Sequence, residues 1–163
     1  MAQTAAQSEL SIIIRPLNIE DENEMTRVLD IAESFHAESE FSYHPFSRQK
    51  VERLLQSLSK QQSGYVRIAE IDGMIEGGMV CLINEPYYSE AAIVQDMGLF
   101  INPSKRGNRV AAMLVEDMIK WSIQNNASEV WLGVTAGIEN EAAGKLYEHF
   151  GFEGRGTVYR KVL

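Results

Sequence analysis

The stretch Gln95-Asp-Met-Gly-Leu-Phe-Ile-Asn-Pro-Ser-Lys-Arg-Gly-Asn-Arg-Val-Ala-Ala-Met-Leu114 decides the fold. It reads as a strand, a tight basic turn containing Gly107, and the start of a long helix. Asn102-Pro103 stops the strand, because proline cannot donate to a ladder and restricts the residue before it. Residues 110–123 carry apolar side chains on more than one helical face, so that helix must be buried against a sheet. The first turn of any helix leaves backbone N–H groups without partners and adds partial positive charge, which suits an anion and above all a phosphate. Lys105, Arg106 and Arg109 place three cations around that point. The same residues also read as a solvated basic turn, and this segment alone leaves both readings open.

Upstream of it the pattern has period two. Residues 65–71 read as a strand, Asp72-Gly73 as a hairpin turn, and residues 75–83 as the partner strand, with Gly77-Gly78 marking a bulge. Residues 84–90 read as a loop and 92–101 as the next strand, which makes an antiparallel meander. Ahead of the meander, Ser11-Ile-Ile-Ile14 is a short strand ended by Arg15-Pro16. Asn18 reads as an N-cap, and Met25, Val28, Leu29, Ala32 and Phe35 follow at helical spacing. Val51, Leu54, Leu55 and Leu58 mark a second helix, joined to the first by the aromatic-acidic connection Glu38-Ser-Glu-Phe-Ser-Tyr-His-Pro-Phe46.

Downstream, residues 130–135 read as a buried strand. Residues 140–150 form a helix with Ala143, Leu146, Tyr147 and Phe150 on one side, Gly151 caps it, and residues 157–162 alternate as a last strand. The order β-α-α-β-β-β-α-β-α-β predicts an α/β (α+β) architecture: a mixed, mostly antiparallel central sheet with helices on both faces. One domain is expected over residues 10–163, after a flexible N-terminal tail at residues 1–9. Its last strand and exposed sheet edges could serve a homodimer.

Composition narrows the chemistry. The 163 residues are 45% hydrophobic and 23% charged, as in ordinary globular proteins. No apolar run reaches the ~18 residues that span a bilayer, and the opening residues lack a secretory pattern, so a cytoplasmic setting without membrane partners is expected. Cys81 is the single cysteine; within Gly78-Met-Val-Cys-Leu-Ile83 it reads as a small buried strand residue rather than a nucleophile. No metal is expected, since the histidines lack ligand spacing. The net charge of −8 argues against a nucleic-acid backbone and is compatible with a cationic substrate.

Three motifs lie in order along the chain. Ile14-Arg-Pro-Leu-Asn-Ile-Glu-Asp21 hands the first strand to the first helix. Ile101-Asn-Pro103 followed by Arg106-Gly-Asn-Arg-Val-Ala111 has the form of a strand ending in V-x-P and a loop Q/R-x-x-G-x-G/A. Asn140-Glu-Ala-Ala-Gly-Lys-Leu-Tyr147, with His149-Phe-Gly-Phe152, has the form N-x-x-A-x-x-L-Y-x-x-x-G-F. Together they resemble the GNAT superfamily of acyl-CoA-dependent N-acetyltransferases. The resemblance implies acetyl-CoA as cofactor and transfer of its acetyl group to a primary amine of a small molecule or peptide. Leu99, Phe100 and Ile101 would then run along the pantetheine arm. Lys105, Arg106, Gly107, Asn108, Arg109, Val110 and Ala111 would hold the diphosphate, and Asn140 would hydrogen-bond the arm. Tyr147 would protonate the leaving sulfur, with Asp96 accepting the amine's proton. Arg109 departs from the family, which has glycine there. Either Arg109 takes ordinary helical angles and turns its guanidinium toward a phosphate, or binding is weakened and the chain is a CoA-binding or interaction module without turnover.

For the acceptor, the resemblance points to the connection at residues 38–46 and the loop at 84–90. These supply Glu38, Glu40, Tyr43, His44, Glu85, Tyr87, Tyr88 and Glu90, a mixture suited to a cationic amine and equally ordinary for a surface.

Overall fold

Five strands, β1 (Ile12–Pro16), β2 (Gly64–Ile71), β3 (Met74–Asn84), β4 (Ile93–Ile101) and β5 (Glu129–Trp131), lie side by side in chain order in the computed structural model, which describes residues 10–163. The tail expected at residues 1–9 lies outside the described residues. Strands β1 to β4 pair antiparallel, and β5 joins β4 in parallel. Helices α1 (Glu22–Glu38) and α2 (Arg48–Ser59) cover one face of the sheet. Helices α3 (Val110–Gln124) and α4 (Asn140–His149) pack on the other.

Local chemistry explains most boundaries. Asp72 and Gly73 both have positive φ, 49° and 83°, as a two-residue hairpin turn demands. The N-cap of α1 is Asp21 rather than Asn18: the Asp21 carboxylate accepts from the N–H groups of Asn23 and Glu24, at 2.9 and 3.3 Å. Asn18 instead accepts from Glu20 and only turns the chain. Arg15 shows why the strand-to-helix handover carries an arginine. Its Nε donates to Glu70 on β2 at 3.0 Å and its Nη atoms donate to Glu24 on α1 at 3.0 and 2.8 Å, tying three elements together.

Two bulges break the period-two pattern. On β3, Glu76 is the extra residue, since Gly77 faces Ala69 while Ile75 faces Glu70. On β4, Met97 is extra, since Cys81 faces Asp96 while Val80 faces Gly98. Each inverts which residues face which side. On β4, Val94 faces α3 before the bulge, whereas Ile101 does so after it. Gly77-Gly78 therefore sits beside a bulge, yet the need for glycine is a close approach. A Cβ at Gly78 would stand 2.8 Å from the carbonyl oxygen of Arg67 and 2.9 Å from Cζ of Phe100.

Two expected strands change. The strand expected at 130–135 is only Glu129–Trp131 and is not buried, and the last strand expected at 157–162 does not form. Its edge-strand partner would be β5, which is too short to template it. The C-terminal segment instead crosses to the connection between α1 and α2. There Arg160 donates to the Glu40 carbonyl at 2.9 Å and stacks over the Tyr43 ring at 5.3 Å.

Gly78→Ala should cost about 2 kcal/mol, the usual scale of core overpacking, because Phe100 and the β2 backbone must both give way. Urea denaturation at neutral pH measures it; an unchanged midpoint would show that the ring moves freely.

Candidate active site

Strands β4 and β5 hold together over three pairs only: Ile93 with Glu129, Val94 with Val130, and Gln95 with Trp131. At the next step the Asp96 carboxylate takes the N–H of Gly133 at 3.0 Å, a side chain standing where a ladder carbonyl would be. Beyond it the strands part. The β4 edge facing away from β3 has no strand partner from Asp96 to Ile101. A cavity of about 590 Å³ occupies the split. Phe35 and Leu54 line it from the α1/α2 side and Ala143 and Tyr147 from the α3/α4 side, so it passes through the sheet.

One end of the cavity is the basic turn. Gly107 has φ 79° and open space where a Cβ would be. Arg109 has φ −75° and ψ 1°, an ordinary conformation for any residue, so the backbone is not strained by losing the family's glycine. Asn108 accepts from the Val110 N–H at 2.9 Å. The N–H groups of Ala111 and Ala112 have no acceptor among the described residues, and both residues line the cavity. Lys105, Arg106, Gly107 and Asn108 line it as well. Val110 is buried in the core and Arg109 is exposed outside the cavity. Arg106 is already engaged: its Nη atoms donate to Glu38 at 2.8 and 3.2 Å, and its Nε donates to the Ile101 carbonyl at 3.1 Å. The turn thus fits a diphosphate through main-chain donors and Lys105, while the unpaired β4 edge along Leu99, Phe100 and Ile101 fits an extended, amide-bearing arm.

Midway lie Asp96 and Tyr147. Tyr147 is placed by the end of α4: Gly151, at φ 85°, donates to the Glu148 carbonyl, and Phe152 donates to the Tyr147 carbonyl at 3.1 Å. That is a Schellman cap, and its usual apolar contact is the Tyr147–Phe152 ring pair at 5.9 Å. Tyr147 is 7% exposed, and its hydroxyl has no hydrogen-bond partner among the described residues. Since no sealed-off side-chain polar atom lacks a partner among the described residues, that hydroxyl opens on the cavity. Burial first, then the charge of Asp96, pushes the Tyr147 hydroxyl above its usual range. Burial also raises Asp96, against the opposing hydrogen bond from Gly133. Asn140 lines the cavity at the start of α4 beside Glu139, whose φ of 46° is left-handed. Cys81 faces the core, and burial pushes its thiol up, away from nucleophilic use.

The acceptor residues named from sequence are not gathered here. Tyr87 is fully exposed and pairs edge-on with Tyr88. Tyr43 lies under Arg160 with His44 against it at 4.2 Å, and Glu38 turns to Arg106; none of the five lines the cavity. The cavity wall on that side is Phe35, His36, Phe41, Phe46, Val51 and Leu54. The sequence alone marked Phe35, Val51 and Leu54 only as apolar residues at helical spacing; in the fold they line the cavity together with Phe41 and Phe46 of the connection. No helix among the described residues is long and apolar enough to cross a membrane, and no group of His, Cys, Asp and Glu among them is placed to hold a metal.

The fold and this split sheet define an acyltransferase architecture, and the sequence agrees. The profile of the acetyltransferase (GNAT) family matches residues 28–152, well over half of the chain. The protein belongs to the GNAT acetyltransferase family. Solved structures share its fold. An aminoglycoside acetyltransferase, meta-AAC0020, from an uncultured soil metagenomic sample, in complex with sisomicin, is 17% identical with a TM-score of 0.67 over 94% of this chain and 96% of that one. Glucosamine-6-phosphate N-acetyltransferase from Arabidopsis thaliana is 14% identical, with a TM-score of 0.69 over 93% and 98%. Ribosomal-protein-alanine N-acetyltransferase from Brucella melitensis biovar Abortus 2308 is 15% identical, with a TM-score of 0.64 over 95% and 99%. No curated protein matches the chain in sequence.

Asp96→Asn should raise thermal stability at neutral pH. A carboxyl whose folded pKa is raised binds its proton more tightly in the native state. Stability therefore falls as pH rises from the ordinary 3.8 through the folded value, and remains lower above it. The amide keeps an acceptor for Gly133 without the charge. Melting curves of both proteins from pH 3 to 8 should converge at the acid end and separate above it. A variant less stable at pH 8 would show that the charge is well solvated.

Proposed function

We propose that the protein transfers an acetyl group from acetyl-CoA to a primary amine of a small molecule or a peptide. The observation that carries this is one continuous cavity joining helix amides at Ala111 and Ala112, unpartnered among the described residues, to buried Tyr147 and partly buried Asp96 in a split sheet. The diphosphate would rest on the α3 amides with Gly107 and Lys105, and the pantetheine arm would follow the β4 edge with Asn140 opposite. When bound, acetyl-CoA supplies an activated acyl carbonyl and a thiolate leaving group.

The chain's own groups divide the remaining work. A main-chain N–H on the free β4 edge can polarise a carbonyl as an oxyanion hole does, a contribution of ~3 kcal/mol. Asp96 accepts a proton from the incoming amine; its raised pKa makes it a stronger base than a carboxylate in water. Tyr147, kept protonated by burial and by Asp96, donates toward the departing sulfur. The same shift weakens it as an acid, so its proton must move as the thiolate charge develops. The ordinary φ of Arg109 removes the backbone argument for a module without turnover. Buried Cys81, the one cysteine, accords with a reducing, cytoplasmic setting.

Release of CoA from acetyl-CoA, followed by thiol detection across a panel of primary amines, tests this reading. Tyr147→Phe should lower kcat about 100-fold with little change in CoA affinity. Wild-type kcat/KM should rise with pH through a group titrating above the ordinary aspartate value, and Asp96→Asn should remove that limb. Tight CoA binding with no turnover on any amine would leave only the binding module.

A further inference from the structure

On the α1/α2 side of the sheet the cavity opens into a chamber. Its walls are Ala32 and Phe35 of α1, Phe46 of the connection, and Val51 and Leu54 of α2, over a floor that includes Phe100. His36, its ring 5.4 Å from that of Phe46, is the titratable side chain of this wall. The neighbouring carboxylates point elsewhere. Glu38 is held by both Nη atoms of Arg106, and the Glu40 carboxylate lies 3.7 Å from Arg160. Among the described residues the cavity's carboxylates are Asp96, at the split itself, and Glu139, at the α4 start on the other side of the split. A polycation would therefore meet one carboxylate and then rings and aliphatic chains, and each further ammonium would lose its water unpaired.

We propose that this chamber selects the acceptor: the amine carries a bulky apolar group, aromatic or branched aliphatic, that fills the space between α1 and α2 while its amino group stands at Asp96. This rests on the transferase reading above. An aromatic side chain buries ~150–250 Å² on entering such a site, and aromatic edges and faces are present to receive it. The chamber also helps the chemistry. An ammonium beside apolar walls loses solvation and releases its proton more readily, which lightens the task of Asp96. Phe35 has a fixed position in the wall because the Arg106 guanidinium lies over its ring at 5.9 Å.

The test compares kcat/KM at saturating acetyl-CoA for 2-phenylethylamine, isopentylamine, spermidine and sisomicin. The two apolar amines should exceed the polycations about tenfold or more, the scale on which an apolar pocket discriminates. Ala32→Trp, which fills the chamber, should raise KM for 2-phenylethylamine about tenfold while calorimetry gives the same Kd for CoA. Leu54→Ala, which enlarges it, should shift preference toward 3,3-diphenylpropylamine. If spermidine or sisomicin is preferred, the chamber inference falls and the transferase reading stands. If hexanoyl-CoA outperforms acetyl-CoA and Ala32→Trp abolishes that gain alone, the chamber serves the donor's acyl chain and the inference is overturned. If CoA binds and no amine reacts, both readings fall together.

Discussion

One hydrogen bond organises this molecule: the Asp96 carboxylate accepting the N–H of Gly133 where the parallel ladder between β4 and β5 would otherwise continue. A side-chain acceptor reaches farther from its strand than a backbone carbonyl does, so the neighbouring chain is held at a distance instead of closing up. The Met97 bulge immediately follows and reverses the facing of β4. From there to Ile101, β4 keeps its bonds to β3 and leaves its other edge free. An unpaired edge in a sheet is ordinarily a liability that invites another strand. Here it borders a cavity, which keeps another strand away from the same unpaired groups.

The two ends of that cavity are mechanically joined. Glu38 is the last residue of α1 and Arg106 stands in the turn before α3, so their bidentate pair ties the α1 wall of the cavity to the basic turn. At partial exposure such a pair contributes only about 1 kcal/mol. Its effect is one of placement, since the same guanidinium also reaches the Ile101 carbonyl and covers Phe35. The basic residue of the turn is thus paired with a carboxylate of the protein itself. The main-chain N–H groups of Ala111 and Ala112, with Lys105, are the donors this turn leaves toward the cavity.

Much of this was legible in the sequence because it is local. Asp72-Gly73, Gly107 and Gly151 announce positive φ, and each occupies the turn, loop or cap that its neighbours suggest. The run from Gln95 to Leu114 gives strand, turn and helix in order, and the motif ending in Tyr147 and Phe152 is a helix cap that fixes a tyrosine. What was hidden is non-local. The Arg106–Glu38 pair spans 68 positions, and the acceptor wall forms only when α1 and α2 pack. The Met97 bulge left no trace in the pattern, since both odd and even positions of β4 are apolar on either side of it. The alternation at 157–162 predicts a strand, but alternation states only what a segment could do if an edge were offered, and β5 offers three residues.

The burial that makes Asp96 and Tyr147 useful also makes them costly. A carboxyl held in a largely buried site destabilises the native state whenever it is charged, and it stands opposite Cys81 with only main-chain N–H groups, that of Gly133 and its own, to offset the burial. A hydrophobic residue of similar size would fold better there, yet it could neither hold Gly133 off the ladder nor take a proton. Asp96 accepts from Gly133 at the split and, second to burial, raises the Tyr147 hydroxyl, so the opening of the cavity and the state of that tyrosine share one side chain. Substitutions at position 96 will therefore not separate geometry from proton transfer unless the replacement keeps an acceptor for Gly133. The asparagine variant meets that condition, so its pH dependence reports on the charge alone.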